Sequence, residues 1–199
     1  MTRPAMPDAV AALPRDAVGR PVPWVSCWTH PSHDDGSTPP PVRSLYGDIE
    51  GCGCVVGEGT PLLGDLCPRR SVQGLLGRLC GTCGQPVAHD DDCWWPSTDD
   101  RPFFTEPPNH LACLVYALGI CPHLVADARA GTQSLMRAYG YTLSLLYTGA
   151  PGAPGLVVPE SASMAFHRQC AQGGPAHSVL CQPIDPVCTP TAQVLADLA

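Results

Sequence analysis

Cys80-Gly81-Thr82-Cys83-Gly84 and, further along the chain, His110-Leu111-Ala112-Cys113 carry two thiols and then an imidazole and a thiol at short spacings. Two cysteines separated by two residues converge on one ion only through a tight turn, and glycine favours that turn because it tolerates a positive φ. Side chains at positions i and i+3 of a helix share a face, so the second pair also converges. Thiolate and imidazole are the usual ligands of tetrahedral zinc. The two pairs therefore predict a zinc site formed by Cys80, Cys83, His110 and Cys113.

The segments around these pairs predict a knuckle, a hairpin and a helix, in that order. Residues 85–89 and 101–105 are the expected arms of the hairpin, and residues 90–96 are its tip. Asn109 is the expected N-cap of a helix whose apolar stripe begins at Leu111. Knuckle, hairpin and helix together resemble a treble-clef zinc finger.

A zinc ion held by four protein ligands has no open position, which is typical of a structural site and not of a catalytic one. The alternative interpretation of the same residues is that the cysteines are free buried thiols and that His110 is a capped or solvated histidine. We expect one zinc ion at this site.

The composition favours a small, loop-rich α+β protein with a zinc-stabilised, treble-clef-like core and additional short strands and helices. The chain has 199 residues, and its 24 prolines and 20 glycines predict short elements and many turns. We predict an extended N-terminal segment at residues 1–20, the zinc-binding domain at 21–125, and a C-terminal α+β extension packed on it at 126–199.

Apolar periodicity predicts several elements around the zinc module. Residues 71–79 read as a short helix that keeps Arg69, Arg70 and Arg78 in solvent. Residues 125–138 read as a second helix. Strands at 141–147 and 156–158, joined by a turn rich in glycine and proline, predict a hairpin over the zinc module.

Net charge and cysteine content indicate which partners and which cellular compartment to expect. The formal charge is −7, and nucleic-acid binding depends on neutralising phosphates, so the balance argues against a nucleic-acid partner and for a protein partner. Residues 1–20 lack the apolar core of a signal peptide, and we find no apolar run of membrane-spanning length. Twelve cysteines then favour metal ligands and buried thiols in the reducing cytoplasm over disulfides.

Three further groups of residues leave a second metal site open, with buried or free thiols as the alternative. The first group is Cys52, Cys54 and Cys67, with a fourth ligand from Cys93 or a histidine. The second is Cys27-x2-His30-x2-His33, which has no obvious fourth ligand nearby. The third comprises four C-terminal residues, with Cys188 beyond them: His167, Cys170, His177 and Cys181.

Four stretches resemble a family of uncharacterised, zinc-knuckle proteins found in actinobacteria, other bacteria and their phages. These stretches are Leu13–Trp24, Cys80–Pro86, Pro107–Cys113 and Tyr116–Leu124. The resemblance covers roughly residues 10–125 and implies the ligand set Cys80, Cys83, His110 and Cys113. It implies no activity. Four cysteines are additional to the pattern of that family: Cys27, Cys52, Cys54 and Cys67.

These observations favour a structural-zinc adaptor or regulatory protein, linked to phages or mobile elements, and not an enzyme. We identify no catalytic or cofactor-binding residues. The main alternative is a histidine–metal nuclease of the HNH type or a nucleic-acid-binding treble clef, since His89 falls on the predicted hairpin and Asn109 precedes the helix. Two further alternatives are a thioredoxin-like redox site, which requires a βαβ context, and a sequence-specific DNA-binding regulator.

Overall fold

Short helices and strands alternate along the chain, which confirms the α+β class. The computed structural model describes residues 4–29, 42–44, 47–49, 52–97, 103–147, 156–159 and 176–197. In chain order the elements are α1 (Asp8–Ala11), β1 (Ser26–Trp28), β2 (Val42–Ser44), β3 (Gly47–Ile49), β4 (Pro61–Leu66), α2 (Pro68–Leu76), β5 (Cys93–Ser97), α3 (Leu111–Ile120), α4 (Pro122–Ala130), β6 (Ser134–Ala138), β7 (Tyr141–Tyr147), β8 (Leu156–Pro159), β9 (Ala176–Pro183), β10 (Val187–Pro190) and α5 (Thr191–Asp197).

The described strands form three small sheets. Strands β1 and β4 form an antiparallel pair, and a three-stranded sheet has the order β10-β6-β5. A five-stranded sheet has the order β2-β3-β9-β7-β8, in which β3 and β9 are parallel and the other pairs are antiparallel. The hairpin predicted for residues 141–158 is confirmed as the antiparallel pair β7–β8.

The largest hydrophobic cluster surrounds Trp95, whose side chain is fully buried. Its ring stacks on Phe104 at a centroid distance of 5.6 Å and meets Tyr141 edge-on at 5.8 Å. Leu145 of β7 and Val179 of β9 belong to the same cluster. The core thus joins the segment around the CGTCG knuckle to the C-terminal strands.

The predicted hairpin arms at 85–89 and 101–105 are not the strands of this region. Strand β5 falls on residues assigned to the hairpin tip, and it pairs with β6 along its whole length. Strand β5 alternates buried and half-buried side chains, and Trp95 is one of the buried ones. Burying its large ring stabilises the strand, whereas a hairpin tip would leave the ring in solvent. A treble-clef hairpin is therefore not observed at these positions, and residues 98–102 lie outside the described ranges.

Three helix predictions also differ from the structure. Helix α2 begins at Pro68, and Arg70, expected in solvent, is only 3% exposed. The helix predicted over 125–138 is α4 followed by β6, because Gly131 adopts a left-handed conformation (φ +69°) that ends the helix. The N-cap of α3 is His110 and not Asn109.

The segment 1–20, predicted to be extended, contains the single helical turn α1, and Val10 of that turn is buried in the main core. Among the described residues, no single helix is long and apolar enough to cross a membrane. Helices α3 and α4 reach that length and composition only as a pair bent by 88°.

Candidate metal centre

The four residues predicted as ligands lie together. One sulfur or nitrogen atom from each of Cys80, Cys83, His110 and Cys113 lies within 4.8 Å of the others. The three cysteines are buried, and His110 is half-buried. Zinc bound to cysteine and histidine has bonds of about 2.0–2.3 Å, so ligand atoms about 3.3–3.8 Å apart suit a tetrahedral ion. This group can hold a metal ion.

Backbone hydrogen bonds shape the knuckle that carries Cys80 and Cys83. The Gly84 N–H donates to the Cys80 carbonyl at 2.7 Å, and the Cys80 N–H donates to the Gln85 carbonyl at 2.8 Å. Gly84 has φ +74°, and a Cβ there would lie 2.7 Å from Cγ of Trp24. Glycine is required at this position both for its conformation and for the close packing of the indole.

Asn109 ties the knuckle to the beginning of α3. Its buried Oδ1 accepts hydrogen bonds from the Thr82 N–H at 3.1 Å and from the Thr82 hydroxyl at 2.7 Å. The Gly81 N–H donates to the Pro108 carbonyl at 2.8 Å. These contacts set the distance between the two ligand pairs, and they occupy the side chain that we had expected to cap the helix.

The imidazole of His110 has one nitrogen toward the thiols and one toward the backbone. Nδ1 lies 3.5 Å from Sγ of Cys83 and 3.8 Å from Sγ of Cys113. Nε2 lies 3.0 Å from the carbonyl oxygen of Pro86. A carbonyl only accepts, so Nε2 carries the proton and Nδ1 presents its lone pair to the thiols. Metal-binding histidines commonly donate their second nitrogen in this way.

The thiols of this group share protons when no cation is present. Hydrogen bonds from Cys113 and Cys83 hold the pKa of Cys80 at about 3. The same contacts with Cys80 and Cys83, together with burial, raise the pKa of Cys113 far above its usual range. Three adjacent thiolates repel one another, and a divalent cation between them removes that repulsion.

A second group brings together Cys27, Cys52 and Cys54, with their sulfurs within 4.8 Å of one another. The prediction of Cys52, Cys54 and Cys67 named part of this group, but the expected contribution of Cys93 is wrong. Cys93 belongs to the core cluster around Trp95, whereas Cys27 and Cys67 belong with Cys52 and Cys54 to a separate buried cluster. Cys27, predicted as a candidate ligand beside His30 and His33, reaches this group through the pairing of β1 with β4.

The remaining histidines and cysteines do not form a further group among the described residues. Cys181 of β9 is buried in the main core, and Cys188 of β10 is exposed. His177 lies in β9. Outside the described residues lie His30, His33, His167 and Cys170.

The residues named for the nuclease alternative do not form a common site. His89 lies in an exposed turn before β5, and Asn109 is engaged with Thr82 in the knuckle. His110 faces the three thiols of the first group.

The chain matches no protein-family model, and no curated protein or solved structure is significantly similar to it. The resemblance to the bacterial and phage family therefore stays a prediction.

Proposed function

We propose that this chain is a zinc-binding protein of the cytoplasm, in which one structural zinc holds together a module that binds another protein. The observation that supports it best is the arrangement of His110. Its Nδ1 faces Cys83 and Cys113 while its Nε2–H is anchored on Pro86, so the imidazole is fixed in the tautomer that zinc requires.

A structural role follows from the composition of the ligand set. Three thiolates and one imidazole fill a tetrahedron, which leaves no position for water or substrate. The ligands come from the knuckle after α2 and from the beginning of α3, and three hydrogen bonds already join these segments. Zinc bound to such a set contributes about 10–16 kcal/mol in small zinc-finger peptides, which is comparable with the total stability of a typical domain, about 5–15 kcal/mol.

We also propose that the module is related to treble-clef zinc fingers and that the chain is linked to actinobacteria and their phages. A knuckle supplies the first ligand pair and the first turn of a helix supplies the second, as in treble clefs. The strand between them, β5, pairs along its length with β6. Within the same segment it forms a single antiparallel bridge, in which Trp94 and Asn109 exchange backbone hydrogen bonds of 3.1 and 2.8 Å.

Exposed apolar side chains support a protein partner. Tyr139 is 68% exposed and Ile184 is 46% exposed, and the Ile184 N–H donates to the carbonyl of Gly140, which places the two side chains on neighbouring segments. Aromatic and aliphatic side chains exposed together suit a protein interface. The net charge of −7 disfavours a polyanionic partner.

The test is removal and return of zinc. The full chain is treated with a chelator under reducing conditions, and its folding is followed by near-ultraviolet circular dichroism before and after stoichiometric zinc is added. We expect loss of the aromatic signal around Trp95 on chelation and its recovery with zinc. A signal that persists in metal-free protein would refute the structural role.

A further inference from the structure

A buried cluster separate from the main core contains four cysteines beside Val22 and Trp28. The four are Cys27, Cys52, Cys54 and Cys67. Each of these side chains is 6% exposed or less. Sγ of Cys27 lies 3.7 Å from Sγ of Cys52 and 3.8 Å from Sγ of Cys54. These separations match the distance between ligands on one tetrahedral zinc ion, since two Zn–S bonds of about 2.3 Å span about 3.8 Å.

Cys67 is carried to this cluster by β4 and α2. Strand β4 pairs with β1, and the Cys67 N–H donates to the Val25 carbonyl at 2.8 Å. Cys67 is the N-cap of α2 and is fully buried among the other three cysteines. The sulfur of Cys67 is not among those that lie within 4.8 Å of one another, so its role as a ligand requires rotation about its single side-chain torsion toward an ion between its neighbours.

We propose that Cys27, Cys52 and Cys54 bind a second zinc ion, with Cys67 as the fourth ligand. Binding displaces the thiol protons to solvent and leaves a zinc tetrathiolate with a net charge of −2. This site is independent of the one at Cys80 and does not rest on it.

The charge of Arg70 supports this ligand set. Its guanidinium is buried, and among the described residues no carboxylate forms an ion pair with it. Instead, one terminal nitrogen lies 3.0 Å from Sγ of Cys54 and 2.6 Å from the carbonyl oxygen of Ser26. A buried cation is costly without a nearby negative charge. A zinc tetrathiolate supplies that charge, and neutral thiols do not.

Further donors point at the sulfurs, as expected for thiolates. The Cys54 N–H donates to Sγ of Cys52 at 3.5 Å. Sγ of Cys54 accepts from the Arg70 guanidinium at 3.0 Å, so two of the three grouped sulfurs face donors that suit thiolates bound to a cation.

A metal ion fits this group better than a disulfide does. Four thiolates in a tetrahedron suit zinc or iron. A disulfide would use only two of the cysteines, and at 3.7 Å the sulfurs of Cys27 and Cys52 are well beyond the bonded distance of about 2.05 Å. A disulfide would also remove two of the four thiolates whose negative charge offsets the buried Arg70 guanidinium.

The first test is X-ray absorption at the zinc edge on the wild-type protein, with metal content determined by elemental analysis. Seven cysteines and one histidine shared by two zinc ions give about 3.5 sulfurs and about 0.5 nitrogens for each ion. One zinc in the set around Cys80 alone gives about three sulfurs and one nitrogen. The first result supports the proposal. One zinc per chain with the second ratio, or iron in place of zinc, overturns it.

The second test assigns each zinc by native mass spectrometry of Cys52→Ala and Cys83→Ala, with Cys93→Ala as the matched control. Cys93 is a fully buried cysteine outside both groups. We expect the control to keep two zinc ions and Cys52→Ala to keep one. If the wild type binds one zinc that Cys52→Ala retains and Cys83→Ala loses, this inference fails and the proposed function stands. The reverse pattern would reject the proposed function alone.

The third test concerns Cys67 and Arg70, through competition for zinc with a chromophoric chelator. Arg70→Gln should weaken the second zinc about 10–100-fold, as loss of an outer partner does, and Cys67→Ala should weaken it further. Arg69→Gln is the control, because Arg69 contacts the carbonyl of Cys54 and not its sulfur. Unchanged affinity in Cys67→Ala would overturn the four-thiolate set.

Discussion

Nε2 of His110 lies 3.0 Å from the carbonyl oxygen of Pro86, two residues beyond the glycine that closes the knuckle. The contact links a residue of the knuckle segment to the N-cap residue of α3. It also determines which nitrogen of the imidazole is free to bind metal. The contact therefore holds the imidazole with Nδ1 toward the thiols, which is the orientation that a metal ion in this group would require.

Replacing His110 should show whether it is a zinc ligand or a solvated histidine. Loss of a residue that only hydrogen-bonds to a metal ligand lowers metal affinity about 10–100-fold. We expect His110→Ala to lower the zinc affinity of this site by more than that. His110→Cys should keep zinc in the same stoichiometry, because thiolate is an equally suitable ligand. Zinc affinity is measured by competition with a chromophoric chelator. Equal affinities in wild type and His110→Ala would argue against the ligand role.

Gly84 should be sensitive to a single added methyl group. Gly84→Ala requires a side chain at φ +74° and places its Cβ 2.7 Å from Cγ of Trp24. Gly131→Ala is the matched control, since Gly131 has φ +69° and no atom within 4 Å of the added Cβ. We expect about 1 kcal/mol of destabilisation from the backbone in both variants and about 1–3 kcal/mol more at Gly84.

Urea unfolding at saturating zinc measures both variants. Equal losses of stability would show that Trp24 moves aside freely and that the packing of the knuckle is less tight than the distances indicate.

The buried thiol of Cys93 should make stability depend on pH in the alkaline range. Burial raises the pKa of Cys93 to about 11, from an ordinary value of 9.0. The unfolded chain therefore loses this proton first, and the stabilisation, fully present below pH 9, is lost as the pH rises through 11. The wild type should lose more stability than Cys93→Ala between those values. Parallel curves in urea unfolding would contradict the assignment.

The grouping of the four side chains around Cys80 could be predicted from sequence because their spacing is local. Cys80 and Cys83 share one turn, and His110 and Cys113 share the beginning of one helix, so backbone geometry alone brings each pair together. The group around Cys54 could not be predicted in the same way. Cys27 reaches it only through the pairing of β1 with β4, a long-range contact that apolar periodicity does not encode.

The burial of Arg70 could not be predicted from sequence either. The pattern of α2 favoured an exposed arginine, since arginine is rarely buried without a partner. Its partners are the sulfur of Cys54 and the carbonyl oxygens of Ser26 and Cys54, which other segments contribute. Strand β5 was missed for a related reason, because its partner β6 lies far along the chain.

The nuclease alternative has a direct test. We expect no magnesium-dependent nicking of supercoiled DNA by the wild-type protein, because Asn109 is engaged with Thr82 and His110 faces three thiols. His89→Ala is the diagnostic variant, and His123→Ala is a control at a histidine that belongs to neither metal group. Nicking that magnesium supports and that only His89→Ala removes would establish the alternative.

The central claim is that Cys80, Cys83, His110 and Cys113 hold one structural zinc. The most direct measurement is the zinc content and thermal unfolding of Cys83→Ala beside Cys93→Ala, both purified without chelator. We predict that Cys83→Ala has one zinc fewer than Cys93→Ala and loses its cooperative transition in the main core, whereas Cys93→Ala unfolds cooperatively. Equal zinc content and equal transitions in the two variants would contradict the claim.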